Sequence, residues 1–223
     1  MDKLAVLTIG QSPRVDAIPD IKDALGSEIQ IVEFGILDRF SEEEAIESLY
    51  PSDGDRVLVS RLKSGRGIKM AEKKVHELVQ ETITYIEEDG IDKILLLCTG
   101  KFPNYKYNGL LIMPYEITHG MVKILAKGKK IGIIVPNEEQ VESSIKLWKE
   151  TGMEVVAKSA SPYEEELEKL ENIANQFKDE DVLFIVLDCM GYSKDMKKIV
   201  QERSGKPVIL SRTLIVRILK ELF

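Results

Sequence analysis

Apolar runs of strand length alternate along this chain with charged segments of helical period. The pattern predicts strands at Leu4–Ile9, Ile29–Phe34, Val57–Leu62, Lys93–Leu97, Lys130–Val135, Glu154–Lys158, Val182–Leu187 and Val208–Leu210. It predicts helices at Asp16–Leu25, Glu42–Leu49, Glu72–Asp89, Glu116–Lys127, Glu138–Thr151, Glu164–Phe177, Lys194–Arg203 and Thr213–Leu222. The strand runs are continuously apolar, as parallel strands covered on both faces require. Strands alternating with helices imply βαβ units and a doubly wound α/β sheet. Punctuation agrees in places. Ser161-Pro162-Tyr163-Glu164 offers an N-cap serine, a proline at the first helical position and a glutamate placed for a capping box. Gly90 and Gly152 each follow a predicted helix end.

The layout occurs twice. One half opens with Leu4-Ala5-Val6-Leu7-Thr8-Ile9 and reaches a Cys-x-Gly turn at Cys98. The other opens with Ile131-Gly132-Ile133-Ile134-Val135-Pro136 and reaches its Cys-x-Gly turn at Cys189. The first half is longer by the length of a hairpin and loop. Residues 37–70 supply the excess, with turn-rich Pro51-Ser52-Asp53-Gly54-Asp55 and Lys63-Ser64-Gly65-Arg66-Gly67.

Composition narrows the class. The 223 residues are 43% hydrophobic and 31% charged, ordinary for a globular protein with an ample core. A net charge of -7 argues against a nucleic-acid partner. No apolar run is long enough to span a bilayer. The first residues run directly into a strand, so no leader and no membrane partner are expected. Two cysteines at strand ends do not make a secreted disulfide framework, and a cytoplasmic location is the expectation.

Those cysteines are the candidate chemistry. Each ends a buried strand, where ligands bind in α/β proteins. Backbone N–H groups at such a turn stabilise a thiolate, the reactive form of the residue. A thiol in each half suggests an acid/base pair working on two faces of one carbon. The plainer reading is that free cysteine often only fills core; two in matched turns favour chemistry. Thr99 and Tyr192 flank the turns. The loop after the first strand, Gly10-Gln11-Ser12-Pro13-Arg14-Val15-Asp16, offers Gln11 and Ser12 to a polar ligand and Arg14 to a carboxylate or phosphate. It is equally a helix entry with Arg14 solvated. Arg61 and the Ser211-Arg212 pair stand at strand ends as anion candidates or plain surface and helix-start residues. Tyr105 and Tyr107 sit in a loop long enough for a lid. His76 reads as exposed, and His119 as the histidine placed for acid/base work. The cysteines and histidines lack zinc spacing, and no dinucleotide or P-loop motif is present, so no metal or cofactor is expected.

Thr8-Ile9-Gly10-Gln11-Ser12-Pro13-Arg14, Leu97-Cys98-Thr99-Gly100-Lys101-Phe102-Pro103, Leu187-Asp188-Cys189-Met190-Gly191-Tyr192 and Ser211-Arg212-Thr213 together resemble the AroM family of bacterial and archaeal proteins. That family is similar in layout to the aspartate/glutamate/hydantoin racemase superfamily. The resemblance implies two pseudosymmetric doubly wound lobes with parallel sheets, an active site in the interlobe cleft, no cofactor and one catalytic cysteine per lobe. Cys98 and Cys189 would be the bases. Gln11, Ser12, Arg14, Thr99, Gly100, Gly191, Tyr192, Ser211 and Arg212 would contact substrate. The segment from Val208 to Phe223 would return to the first lobe, giving a first lobe of residues 1–113 plus 208–223 and a second of residues 114–207. A small carboxylate-bearing metabolite and a homodimer are the implied partners. The superfamily cysteines are usually followed by Asn-Thr or Thr-rich turns; here Met190-Gly191 follows Cys189, and no histidine stands beside it. The leading expectation is a cofactor-independent racemase or epimerase. A single-cysteine decarboxylase or cis-trans isomerase of the same fold, or a metabolite-binding protein, are the alternatives.

Overall fold

The computed structural model describes residues 2–163 and 167–223. Two compact units divide the chain. The first holds the chain up to Tyr115 together with Val216–Phe223, and the second holds Glu116–Ile215.

In the first unit, β1 (Asp2–Thr8), β2 (Ile29–Gly35), β5 (Lys93–Leu96) and β6 (Leu110–Ile112) form a sheet in the order β2-β1-β5-β6, all pairs parallel. In the second, β7 (Ile131–Val135), β8 (Val155–Ser159), β9 (Ile185–Leu187) and β10 (Val208–Leu210) form a parallel sheet in the order β8-β7-β9-β10. Counted within each parallel sheet, both orders are second-first-third-fourth strand. The repeat read from layout is therefore present in the topology, in an α/β fold.

The surplus of the first half is α2 (Glu42–Leu49) and an antiparallel hairpin of β3 (Val57–Arg61) and β4 (Gly67–Ala71). A hairpin and loop were expected within residues 37–70, although the run at Val57 also reads with the other strands as parallel. It stands apart because its burial alternates, with Leu58 and Ser60 buried and their neighbours half-exposed, as suits a hairpin covered on one face. The short β4 and β6 fall outside the predicted strands. β10 pairs with β9, so Val208–Leu210 belongs to the second sheet and the return to the first unit starts at Val216, inside α8 (Ser211–Leu222).

The other helices are α1 (Ile18–Leu25), α3 (Glu72–Glu88), α4 (Pro114–Ala126), α5 (Val141–Glu150), α6 (Glu168–Gln176) and α7 (Lys194–Ser204). A 3-10 turn at Glu138–Gln140 leads into α5, where one helix was expected. α2 carries a complete capping box between Ser41 and Glu44. The box expected at Ser161 needs Glu164, which lies outside the described residues. Gly90, at φ 75°, and Gly152, at φ 81°, follow helix ends in the left-handed conformation as read.

The second sheet is covered on both faces. Ile131, Ile133 and Val135 of β7 pack with Val122 and Ala126 of α4 and Trp148 of α5. Ile134, Ile185 and Leu187 turn to the other face, against Leu170 and Ala174 of α6 and Val200 of α7. In the first unit Ala5, Leu7, Ile94 and Leu96 pack on Val75, Val79, Ile83 and Ile86 of α3. No helix among the described residues is long and apolar enough to cross a membrane.

Candidate functional site

The two cysteines occupy equivalent places. Leu97 N–H donates to the Leu7 carbonyl at 2.8 Å, the penultimate residue of β1. Asp188 N–H donates to the Ile134 carbonyl at 2.9 Å, the penultimate residue of β7. The next residue in each case is the cysteine. Gly100 N–H donates to Cys98 Sγ at 3.4 Å, and Gly191 N–H to Cys189 Sγ at 3.4 Å. An amide held on sulfur favours its thiolate over its thiol. Neither cysteine is in a disulfide.

Their surroundings differ. Cys98, Thr99 and Gly100 are half-buried, whereas residues 188–192 are all buried, with Cys189 only 8% exposed. Asp188 Oδ2 accepts from Trp148 Nε1 at 3.1 Å. The Tyr163 hydroxyl stands 3.7 Å from Cys189 Sγ. Tyr192 is wholly buried and donates to the Ala160 carbonyl at 2.6 Å, so it braces the turn and presents no hydroxyl to a ligand. Burial, with the charges of Cys189, Tyr163 and Asp188 adding, holds its phenol well above the ordinary tyrosine value. Ser211 donates to the Leu187 carbonyl at 2.9 Å, and Arg212 is sealed at 1% exposed.

The loop after β1 is built of internal hydrogen bonds. Gln11 Nε2 donates to the carbonyls of Leu37 and Phe40 at 3.3 and 2.9 Å, and its Oε1 accepts from Lys63 N–H at 2.9 Å. Asp38, which the sequence did not single out, accepts from the N–H and hydroxyl of Ser12 and from Gly35 N–H, each at 2.7 Å. Arg14 grips Asp16 through Nε and a terminal nitrogen at 2.8 and 2.7 Å, and donates to Thr8 Oγ1 at 2.9 Å. Burial alone would raise the Asp16 carboxyl, but the hydrogen bond and charge of Arg14, helped by Arg61, bring it below the ordinary carboxylate value. Gln11, Ser12 and Arg14 thus shape the loop with the groups expected to meet substrate. Gly10 allows the hairpin to close on it, since a Cβ there would lie 2.3 Å from the Arg61 carbonyl.

The expected lid is fastened down. Tyr107 donates to the Ile91 carbonyl at 2.8 Å, and Gln80 of α3 brackets Lys106 through both amide atoms. Burial pushes the Tyr107 phenol up to about 12, with Asp92 and Glu87 adding. Tyr105 packs near Phe102; burial raises its phenol further, with Cys98 and then Glu72 contributing. His119 is no open acid/base group: it is buried and stacked on Trp148, ring centroids 3.6 Å apart. His76 is half-buried against Phe102 rather than exposed, and burial lowers its pKa. Among the described residues, no group of three or more His, Cys, Asp or Glu side chains is placed to hold a metal.

Comparison with known proteins places this geometry. The chain is similar over 100% of its length to 94% of aspartate racemase from Picrophilus torridus, at 14% identity and a TM-score of 0.60. It is similar over 99% of its length to 92% of the maleate isomerase Iso from Pseudomonas putida S16, at 11% identity and a TM-score of 0.63. A mutant arylmalonate decarboxylase matches over 99% of this chain and 93% of its own, at 12% identity and a TM-score of 0.63. At these identities the likeness shows the fold alone, one shared with these enzymes. No curated protein sequence matches the chain. The model of the AroM protein family matches residues 4–223, and the chain belongs to that family.

Proposed function

We propose that this protein is a cofactor-independent racemase or epimerase that moves a proton at the carbon beside a carboxylate, with Cys98 and Cys189 as its acid/base pair. One observation carries the reading: two thiols in topologically equivalent turns, each sulfur accepting the N–H of the glycine two residues on at 3.4 Å. One thiolate takes the α-proton as the C–H bond breaks, and its electron pair delocalises into the carboxylate as an enediolate. The opposite thiol gives its proton to the other face as the new C–H bond forms. Atoms and electrons balance, and the thiols exchange protonation states. Thr99, half-buried beside Cys98, is offered to the substrate carboxylate. A racemase, an isomerase and a decarboxylase among the structural neighbours, named for aspartate, maleate and arylmalonate, support a small carboxylate as substrate. A cytoplasmic homodimer belongs to the same proposal.

The inequality of the turns favours a second reading. Cys189 is buried beside Asp188, whereas Cys98 is half-exposed, as suits an enzyme that uses one thiol as proton donor or nucleophile. The test is solvent deuterium exchange by NMR on amino acids, hydroxy acids, hydantoins, shikimate-type carboxylates and dicarboxylates. Deuterium wash-in at an α-carbon is expected for at least one class. Its absence across the panel would contradict the proton-transfer reading.

A further inference from the structure

We propose that Tyr163 is a positioning residue for Cys189, its phenol donating a hydrogen bond that holds the sulfur as a thiolate. The inference rests on the proton-transfer reading and adds to it a residue from outside both cysteine turns. Three observations converge. The hydroxyl lies 3.7 Å from Sγ, within hydrogen-bond range for sulfur. The ring lies over the cysteine turn, where a Cβ on Gly191 would come within 2.7 Å of both Cε1 and the hydroxyl. Glycine at 191 therefore serves two ends: its N–H reaches the sulfur, and its missing side chain admits the phenol. The segment carrying Tyr163 is itself turned by a hydrogen bond from Tyr163 N–H to Ser161 Oγ at 3.1 Å.

The direction of the hydrogen bond follows from intrinsic acidity. A thiol ionises near pH 8.5 and a phenol near pH 10, so of the two the phenol keeps its proton. Titratable groups near Cys189 include Asp188 and Tyr192 of its own turn and Tyr163 of the segment after β8. The Tyr192 hydroxyl is committed to the Ala160 carbonyl. Asp188 brings like charge, which opposes a thiolate beside it. Tyr163 and the Gly191 N–H are donors that offset it. The sequence hid this role, because Tyr163 lies 26 residues from Cys189 and reads as the start of a charged helix.

The test follows the Cys189 13Cβ shift against pH in protein labelled at cysteine Cβ, for wild type, Tyr163→Phe and Gly191→Ala. The first variant deletes the donor, and the second displaces an intact phenol. Each should raise the Cys189 midpoint by about one pH unit, the worth of one hydrogen bond to a charged group. With the substrate found by deuterium exchange, the thiol-dependent limb of the pH-rate profile should move with it. A midpoint unchanged or lowered in Tyr163→Phe overturns the proposal. The titration needs no substrate, so it stands or falls separately from the racemase reading.

Discussion

Asp16→Asn separates a structural Arg14 from a substrate-binding one. Arg14 is 3% exposed and Asp16 13%, and two hydrogen bonds at 2.8 and 2.7 Å join them. The substitution removes the carboxylate charge and turns an amide NH2 toward the guanidinium. Arg14 keeps its hydrogen bond to Thr8 but loses its charge partner in a buried site. Removing one partner of a buried pair costs about 3–5 kcal/mol; the partial exposure of Asp16 points to the lower end, about 3 kcal/mol at pH 7. Urea unfolding should show this as a midpoint lower by roughly 1 M. Far-UV circular dichroism is the probe, because the sole tryptophan, Trp148, lies in the second unit. The pH dependence has a fixed sign. The folded-state pKa of Asp16 is lowered, so its contribution is complete above the ordinary carboxylate value near 3.8 and is lost as pH falls through the folded value. The gap between wild type and variant should therefore close in acid. A variant within about 0.5 kcal/mol of wild type at pH 7, or a gap that persists in acid, would refute the clamp.

Trp148→Phe should lose about 3 kcal/mol in urea unfolding, since it takes the Nε1 donor from the buried Asp188 carboxylate and leaves space beside His119. Gly10→Ala should cost roughly 1–3 kcal/mol by the same measurement, because its Cβ would strike the Arg61 backbone and force the hairpin from the first loop.

Much of the architecture was legible because buried parallel strands read as unbroken apolar runs, such as Ile131–Val135. β4 escaped because Gly67-Ile68-Lys69-Met70-Ala71 carries a charge on its open face, and β6 because three residues make no pattern. The cysteine turns were visible because cysteine and glycine are local neighbours. The rest of the site depends on chain geometry. Gln11 and Ser12 looked available to a ligand, yet the loop folds their polar atoms onto Leu37, Phe40, Lys63 and Asp38. His119 follows a proline at a helix start, which reads as a place for acid/base work, but α4 turns that face onto Trp148. Asp38 and Tyr163 come from segments remote in sequence from the residues they hold, and no local motif marks them.

The central claim is that both thiols move the same proton traffic. The most direct measurement is racemisation, with deuterium incorporation, by Cys98→Ala and Cys189→Ala, each started from both enantiomers of the substrate that shows wash-in. The account predicts that either substitution abolishes racemisation in both directions while the fold, followed by circular dichroism, persists. Racemisation at the wild-type rate in both variants would contradict it.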